Sequence, residues 1–158
     1  MLYTINECSN EDLVQCATII IDIYNNNELH ENWTSDSALA FCTHFKNLNP
    51  HLFLVAKKEK EVVGFIITSI KPWSDGNHLF IEEVSVKEKY RKNGIASNLL
   101  MTNISYAKEH YDIKHINAET YGAVSQMPFS WYSRIGFKKN EETYLINCSI
   151  GAFCLDKK

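Results

Sequence analysis

Apolar and polar residues alternate along this chain with two periods, and each change of period marks a new element. Residues 2–5 read as a short first strand. Ser9-Asn10-Glu11-Asp12 is a helix-start signal of the S-x-x-[DE] type. Leu13, Ala17, Ile20, Ile21 and Tyr24 then fall on one helical face, and the polar run Asn25-Asn26-Asn27 ends that helix. A second helix is predicted from Thr34 or Ser35 toward Lys46, with Ala38, Phe41, Cys42 and Phe45 inward; Asn49-Pro50 stops it. Residues 52–56 and 62–70 read as strands joined by the charged turn Lys57-Lys58-Glu59-Lys60, a hairpin. Asp75-Gly76-Asn77 is a further turn signal and leads into a strand over 79–86.

Ile95, Leu99, Leu100, Ile104 and Ala107 have the spacing of a core-facing helix stripe that ends near Glu109. Residues 115–119 form the next short strand. Ser125 or Met127 starts a helix that carries Tyr132, with Pro128 tolerated in its first turn. Residues 142–148 are a further strand, followed by 152–155. The order β-α-α-β-β-β-α-β-α-β(β) predicts an α/β (α+β) fold with a mixed sheet. No internal repeat, low-complexity segment or linker-like shift in composition interrupts it, so residues 1–158 read as a single domain.

Composition narrows the function. The chain has 158 residues, enough for one sizeable core, and 45% are apolar. A formal charge of −3 gives no basic field for nucleic acid. No apolar run approaches the ~18 residues of a membrane span, and Met1-Leu2-Tyr3-Thr4-Ile5-Asn6-Glu7 lacks the basic region and apolar core of a signal peptide. Cys8, Cys16, Cys42, Cys148 and Cys154 are odd in number and show no C-x-x-C spacing. They predict reduced thiols in a cytoplasmic protein. His30, His44, His51, His78, His110 and His115 lack metal-ligand spacing, and no metal is expected.

The most informative stretch is Tyr90-Arg91-Lys92-Asn93-Gly94-Ile95-Ala96, set between the strand over 79–86 and the following helix. A strand, a basic turn with one glycine and a helix N-terminus make an anion-binding device. First-turn amides have no intrahelical acceptor, and the helix dipole adds positive character there. Gly94 removes a Cβ where a phosphate approaches, and Arg91 and Lys92 add charge. The device suits a pyrophosphate, yet neither G-x-x-x-x-G-K-[ST] nor G-x-G-x-x-G is present.

Arg-x-x-Gly-x-Ala after a strand ending Val-x-Val resembles the [RQ]-x-x-G-x-[GA] signature of the GNAT acetyltransferase superfamily. Phe129-Ser130-Trp131-Tyr132-Ser133-Arg134-Ile135-Gly136-Phe137 is similar to its later [FL]-Y-x-x-x-G-F element. The resemblance covers roughly residues 61–137. It implies a mostly antiparallel mixed sheet flanked by helices, and acetyl-CoA as co-substrate. It implies that Arg91, Lys92, Asn93, Gly94, Ile95, Ala96 and Ser97 hold the cofactor. Main-chain groups of Val84, Ser85 and Val86 are expected to pair with pantetheine. Ser125 stands where the family often has asparagine and is a further cofactor candidate, while Asn98 and the helix face around Asn103 are placed near the adenine. Metal has no part in this chemistry.

Acetyl transfer to an amine needs a proton acceptor and a stabilised leaving thiolate. Tyr132 matches the family tyrosine, whose phenol can protonate the thiolate. Glu82 and Glu83 are two carboxylates in an otherwise apolar strand, costly unless exposed, paired or functional. Alternation puts them on opposite faces unless a bulge intervenes. Glu83 is the preferred base, Glu82 the second and Glu119 a third candidate. Glu28, Glu31, Trp33 and Asp36, and separately Trp73 and Asp75, are acids and aromatics that suit a cationic amine. A likeness to the aminoglycoside N-acetyltransferase-like branch rests on Glu31-Asn32-Trp33-Thr34 and Trp73-Ser74-Asp75-Gly76.

The implied activity is therefore transfer of acetyl to a primary amine by direct attack in a ternary complex. The acceptor is a small molecule such as an aminosugar or polyamine, or a protein amine. The rival class is a non-catalytic acyl-CoA-binding sensor or interaction module. Neither nucleic acid nor membrane is an expected partner, and a homodimer is left open.

Overall fold

The computed structural model describes residues 2–26, 31–120 and 127–140. The chain divides into two compact units, Met1–Glu119 and Thr120–Lys158. The strands predicted over 142–148 and 152–155 lie outside the described residues.

The first unit is a five-stranded sheet in the order β1-β2-β3-β4-β5. Its strands are β1 (Thr4–Glu7), β2 (Phe53–Lys58), β3 (Glu61–Trp73), β4 (Gly76–Val86) and β5 (Ile113–Ala118). Three helices accompany them: α1 (Leu13–Tyr24), α2 (Ser35–Leu48) and α3 (Ile95–Tyr111). The first four strands pair antiparallel, and β5 runs parallel to β4, as its connection through α3 requires. The mixed, mostly antiparallel sheet expected from the sequence is present. Among the described residues no helix is long and apolar enough to cross a membrane.

Helices cover both faces of the sheet. Cys16, Ala17, Ile19 and Ile20 of α1 and Ala38 and Cys42 of α2 pack on Phe53, Val55, Phe65 and Ile67. On the opposite face Ala107 and Ile104 of α3 pack with Leu52, Leu79, Ile113 and Ile116. This double cover explains why residues 62–69 of β3 are a continuous buried run with no alternation. Asn103, predicted near the adenine, is instead fully buried under the sheet. It accepts from the Thr68 hydroxyl at 2.7 Å and donates to the Leu52 carbonyl at 3.0 Å. Asn98 is exposed on α3 and donates to the Tyr3 hydroxyl at 2.5 Å.

Local signals account for most element boundaries. Asp12 accepts from both the amide and the hydroxyl of Ser9, at 2.9 and 2.7 Å. Burial would raise the Asp12 pKa, but Lys57 at 2.7 Å and the Ser9 donors outweigh it and hold the carboxyl low. Thr34 caps α2 by accepting from the Ser37 amide at 3.1 Å. Several boundaries differ from expectation, among them those of β1, β3, β4 and β5. β1 starts at Thr4, because its register pairs Thr4 with Lys57 and leaves Leu2 93% exposed. β3 runs on to Trp73, because β4 pairs with it down to Trp73 opposite Gly76, which takes a φ of 127°.

Candidate active site

A bulge in β4 organises the site. Ile67 pairs with Glu83, yet the next residue of β3, Thr68, pairs with Ile81, so Glu82 is the extra residue. Ile67 lies in the core under α1 and α2, and directly opposed residues share a face, so Glu83 faces α1 and α2 as well. Thr68 bonds α3 on the other side, which assigns Ile81 to the α3 face. Glu82 follows Ile81 and alternates back toward α1 and α2. The extra residue thus puts both carboxylates on one face, where simple alternation would separate them.

Beyond the bulge, the β4 edge away from β3 is unpaired among the described residues. β5 pairs with β4 only from Asn77 to Ile81, opposite Ile113 to Ala118. Past Ile81, β4 stays paired to β3 as far as Val86, but among the described residues no strand pairs with its other edge. The Lys87 amide bonds back to Val63 at 3.0 Å. Antiparallel alternation then turns the main-chain groups of Ser85 toward β3 and those of Val84 and Val86 toward the open edge. The Val86 carbonyl on that edge accepts from Arg91 Nε at 3.1 Å. The edge has the strand geometry an extended amide-bearing chain would join.

The glutamates have different surroundings. Half-buried Glu83 accepts from the Tyr24 hydroxyl at 2.8 Å and from the Ser85 hydroxyl at 2.7 Å. Burial lifts its carboxyl above the ordinary carboxylate range. The hydroxyls of Ser85 and Tyr24 and the Val84 amide pull it down without outweighing burial, and the Glu31 carboxylate pushes it further up. Glu82 accepts a short hydrogen bond from the Ser69 hydroxyl and lies 3.7 Å from Lys71 Nζ. The Lys71 ammonium also stands over the Phe80 ring, 3.7 Å from its centroid. This face of the sheet therefore already holds one ammonium between a carboxylate and a ring.

The basic turn follows the same strand. Gly94 caps α3 with a φ of 74°, and a Cβ built there meets no atom within 4 Å. Space in front of the helix N-terminus is open, and the left-handed backbone favours glycine. Lys92 also has a left-handed φ, 62°. Arg91, Lys92 and Asn93 are exposed, Ile95 is buried, and Ala96 and Ser97 are half-buried on the first turn. The Asn98 amide makes the first helical bond, to the Gly94 carbonyl at 2.9 Å. Ile95 and Ala96 have no preceding helical turn for their amides to bond.

The other candidates fall in different places. Asn25, at the end of α1, clamps Trp33 by donating to its carbonyl at 2.8 Å and accepting from its amide at 2.9 Å. Trp33 packs edge-on against Phe41 and donates from its ring to Glu31 at 2.6 Å. Trp73 is 61% exposed at the far end of the β3–β4 hairpin. That position is about 20 Å along β3 from Ile67, the partner of Glu83, so the structure does not bring Trp73 to the glutamates. Glu119 is exposed just beyond β5. Glu28 and Ser125 lie outside the described residues. The sequence reading missed Tyr24, Ser69 and Lys71. Tyr24 was read only as an apolar helix position, although a phenol at a helix end brings a polar tip that needs a partner.

In the second unit, helix α4 (Phe129–Arg134) carries Tyr132, which is 5% exposed. Gly136 has a φ of 103°. The Gly136 amide bonds to Ser133 at 3.2 Å and the Phe137 amide to the Tyr132 carbonyl at 3.0 Å, a Schellman ending. Phe137 then returns to pack edge-on against the Tyr132 ring, 5.2 Å between centroids. The glycine-aromatic ending read from the sequence forms here and fixes the tyrosine backbone.

Comparison with known proteins bears on the family and the fold. Residues 15–137 match the profile of the Acetyltransferase (GNAT) family. An N-alpha-acetyltransferase of Sulfurisphaera tokodaii is 30% identical over 109 residues, 63% of each chain. The present chain thus spans under two thirds of that relative's length. Among solved structures, aminoglycoside N-acetyltransferase AAC(6')-Iy in complex with CoA superimposes with a TM-score of 0.73 at 14% identity, covering 93% of this chain and 95% of that one. The NatC complex bound to Gag peptide and CoA gives a TM-score of 0.73 at 20% identity, covering 89% and 87%. At these identities the structural likeness establishes the fold.

Proposed function

Because the chain belongs to the GNAT acetyltransferase family, we propose that it transfers acetyl from acetyl-CoA to a primary amine by direct attack in a ternary complex. The observation that carries this reading is the β4 bulge. It gathers two carboxylates on one face, and beyond it the β4 edge leading to the Gly94 helix terminus is unpaired among the described residues. Acetyl-CoA supplies the activated acyl group and a thiolate leaving group.

The residues fit such a ligand. Val84 and Val86 offer main-chain groups to the pantetheine amides. The amides of Ile95 and Ala96, with Arg91 and Lys92, hold the pyrophosphate in the open space at Gly94. Glu83 takes the ammonium proton of the acceptor, and its raised pKa brings it closer to neutral pH, where a base works best. Glu82 and Glu31 add negative charge that attracts the cation. Tyr132 protonates the leaving thiolate. The acceptor we favour is a cationic small molecule such as an aminosugar or polyamine, because Lys71 shows an ammonium already accommodated between Glu82 and Phe80. A protein N-terminal amine is the second reading, supported by the 30% identical N-alpha-acetyltransferase.

The test is release of free thiol from acetyl-CoA, with mass analysis of the acceptor, over aminoglycosides, polyamines and free-N-terminus peptides. Acceptor-dependent release with a small polycation supports the favoured reading, and release with peptides alone supports the second. Acetyl-CoA binding without release for any amine would make the chain a CoA-binding module.

A further inference from the structure

The outer end of the sheet carries a second cluster, away from the glutamates. Asp75 sits in the β3–β4 turn, His78 lies on β4 and His115 on β5, and the β4–β5 register puts His78 opposite His115. Asp75 uses both carboxylate oxygens. Oδ1 lies 2.8 Å from His78 Nε2, and Oδ2 lies 3.1 Å from His115 Nε2. The two imidazole rings are 4.8 Å apart. One ligand atom from each residue lies within 4.8 Å of the other two, and among the described residues no other such trio of side chains occurs.

We propose that Asp75, His78 and His115 form a binding site for one divalent cation of the zinc class. Two imidazole Nε2 atoms and one carboxylate oxygen are its protein ligands, and the remaining coordination is open to water. Tetrahedral bonds of ~2.0–2.2 Å place ligand atoms about 3.4 Å apart, so the side chains reach this geometry by small rotations. Two imidazoles with one carboxylate suit zinc, nickel or copper; magnesium and calcium favour all-oxygen sites.

The surroundings support a ligand set beyond a chance ion pair. His78 Nδ1 faces the Asn117 amide, with 3.1 Å to Nδ2. The nitrogen and oxygen of such an amide exchange by a simple flip. With the oxygen inward, His78 Nδ1–H donates to it and the Nε2 lone pair is left for the cation, the usual outer-shell arrangement of a metal-bound histidine. Trp73 stacks on the His78 ring at 5.7 Å and limits its rotation. The His78 side chain is 13% exposed, whereas Asp75 and His115 are 50% and 58% exposed, so the cluster is backed by the sheet and open at its mouth. A bound cation would tie the turn to β5. Sequence spacing conceals the site, because His115 arrives through the parallel β4–β5 pairing.

The test is calorimetric titration of the chelator-treated full chain with Zn²⁺, paired with thermal melts. One equivalent should bind and raise the melting temperature, because the ligands come together only in the folded state. His115→Ala and Asp75→Asn, both at exposed positions, should each weaken binding at least about tenfold while circular dichroism stays unchanged. Absence of saturable binding would overturn the proposal. So would unchanged stoichiometry and affinity in a His78→Ala/His115→Ala double variant, since the cation would then be held elsewhere in the chain.

Discussion

The Tyr24 hydroxyl donates a 2.8 Å hydrogen bond to Glu83, linking the C-terminal end of α1 to the bulged strand. The contact holds the carboxylate toward the α1 and α2 side, and it favours the ionised form against the burial that raises the pKa. Tyr24→Phe keeps the ring and removes this donor. The Glu83 pKa should rise further, and the acidic limb of the kcat/KM profile should move to higher pH. Acetyl-CoA affinity, measured by calorimetry, should stay unchanged. A limb that does not move would assign Tyr24 to packing alone.

Gly94→Asp places a side chain and a negative charge in the open space before α3, at a backbone conformation that suits glycine. Acetyl-CoA affinity should fall by at least ~1.4 kcal/mol, about tenfold. Calorimetry on the folded variant measures it, and unchanged affinity would remove this turn as the phosphate cradle.

Gly64 on β3 pairs with Val86, in the stretch of β4 whose other edge is unpaired among the described residues. A Cβ there would stand 2.9 Å from the Ser85 carbonyl oxygen and 3.0 Å from the Val86 side chain. The obstruction is mainly backbone, so the end of β4 must shift. Gly64→Ala should destabilise the protein by roughly 1–3 kcal/mol and weaken acetyl-CoA binding at the same time. Denaturant unfolding and calorimetry read the two effects. Loss of stability with intact binding would mean that the cofactor does not use this edge.

Tyr132→Phe removes only the phenol hydroxyl. Turnover should fall about 10²-fold with little change in acetyl-CoA affinity. Steady-state kinetics beside calorimetry checks it, and equal turnover would return Tyr132 to packing against Phe137.

Much of this arrangement was legible in the sequence because it depends on neighbours along the chain. The Ser9–Asp12 box, the Thr34 cap, the Gly94 turn and the Gly136–Phe137 ending all form where their residues predict. What the sequence left open depends on strand register. Nothing in Ile81-Glu82-Glu83 marks the second residue as the extra one, since a bulge is a property of two paired strands. The common face of the two glutamates was therefore hidden, and with it the contacts to Tyr24, Ser69 and Lys71. Trp73, an acceptor candidate in the sequence, lies at the tip of the β3–β4 hairpin, where pairing carries β3 past residue 70.

The central claim is that Glu83 accepts the proton of an amine acetylated on this face of the sheet. The pH dependence of kcat/KM for Glu83→Gln and Glu82→Gln, measured with one identified amine, tests it most directly. The wild-type rate should rise with pH through a carboxylate raised above its usual value of about 4.3. Glu83→Gln should lower kcat/KM and flatten that limb, whereas Glu82→Gln should keep the limb and chiefly raise KM for a polycation. Profiles for both variants superimposable on wild type would contradict the account and give the proton to water or to another residue such as Glu119.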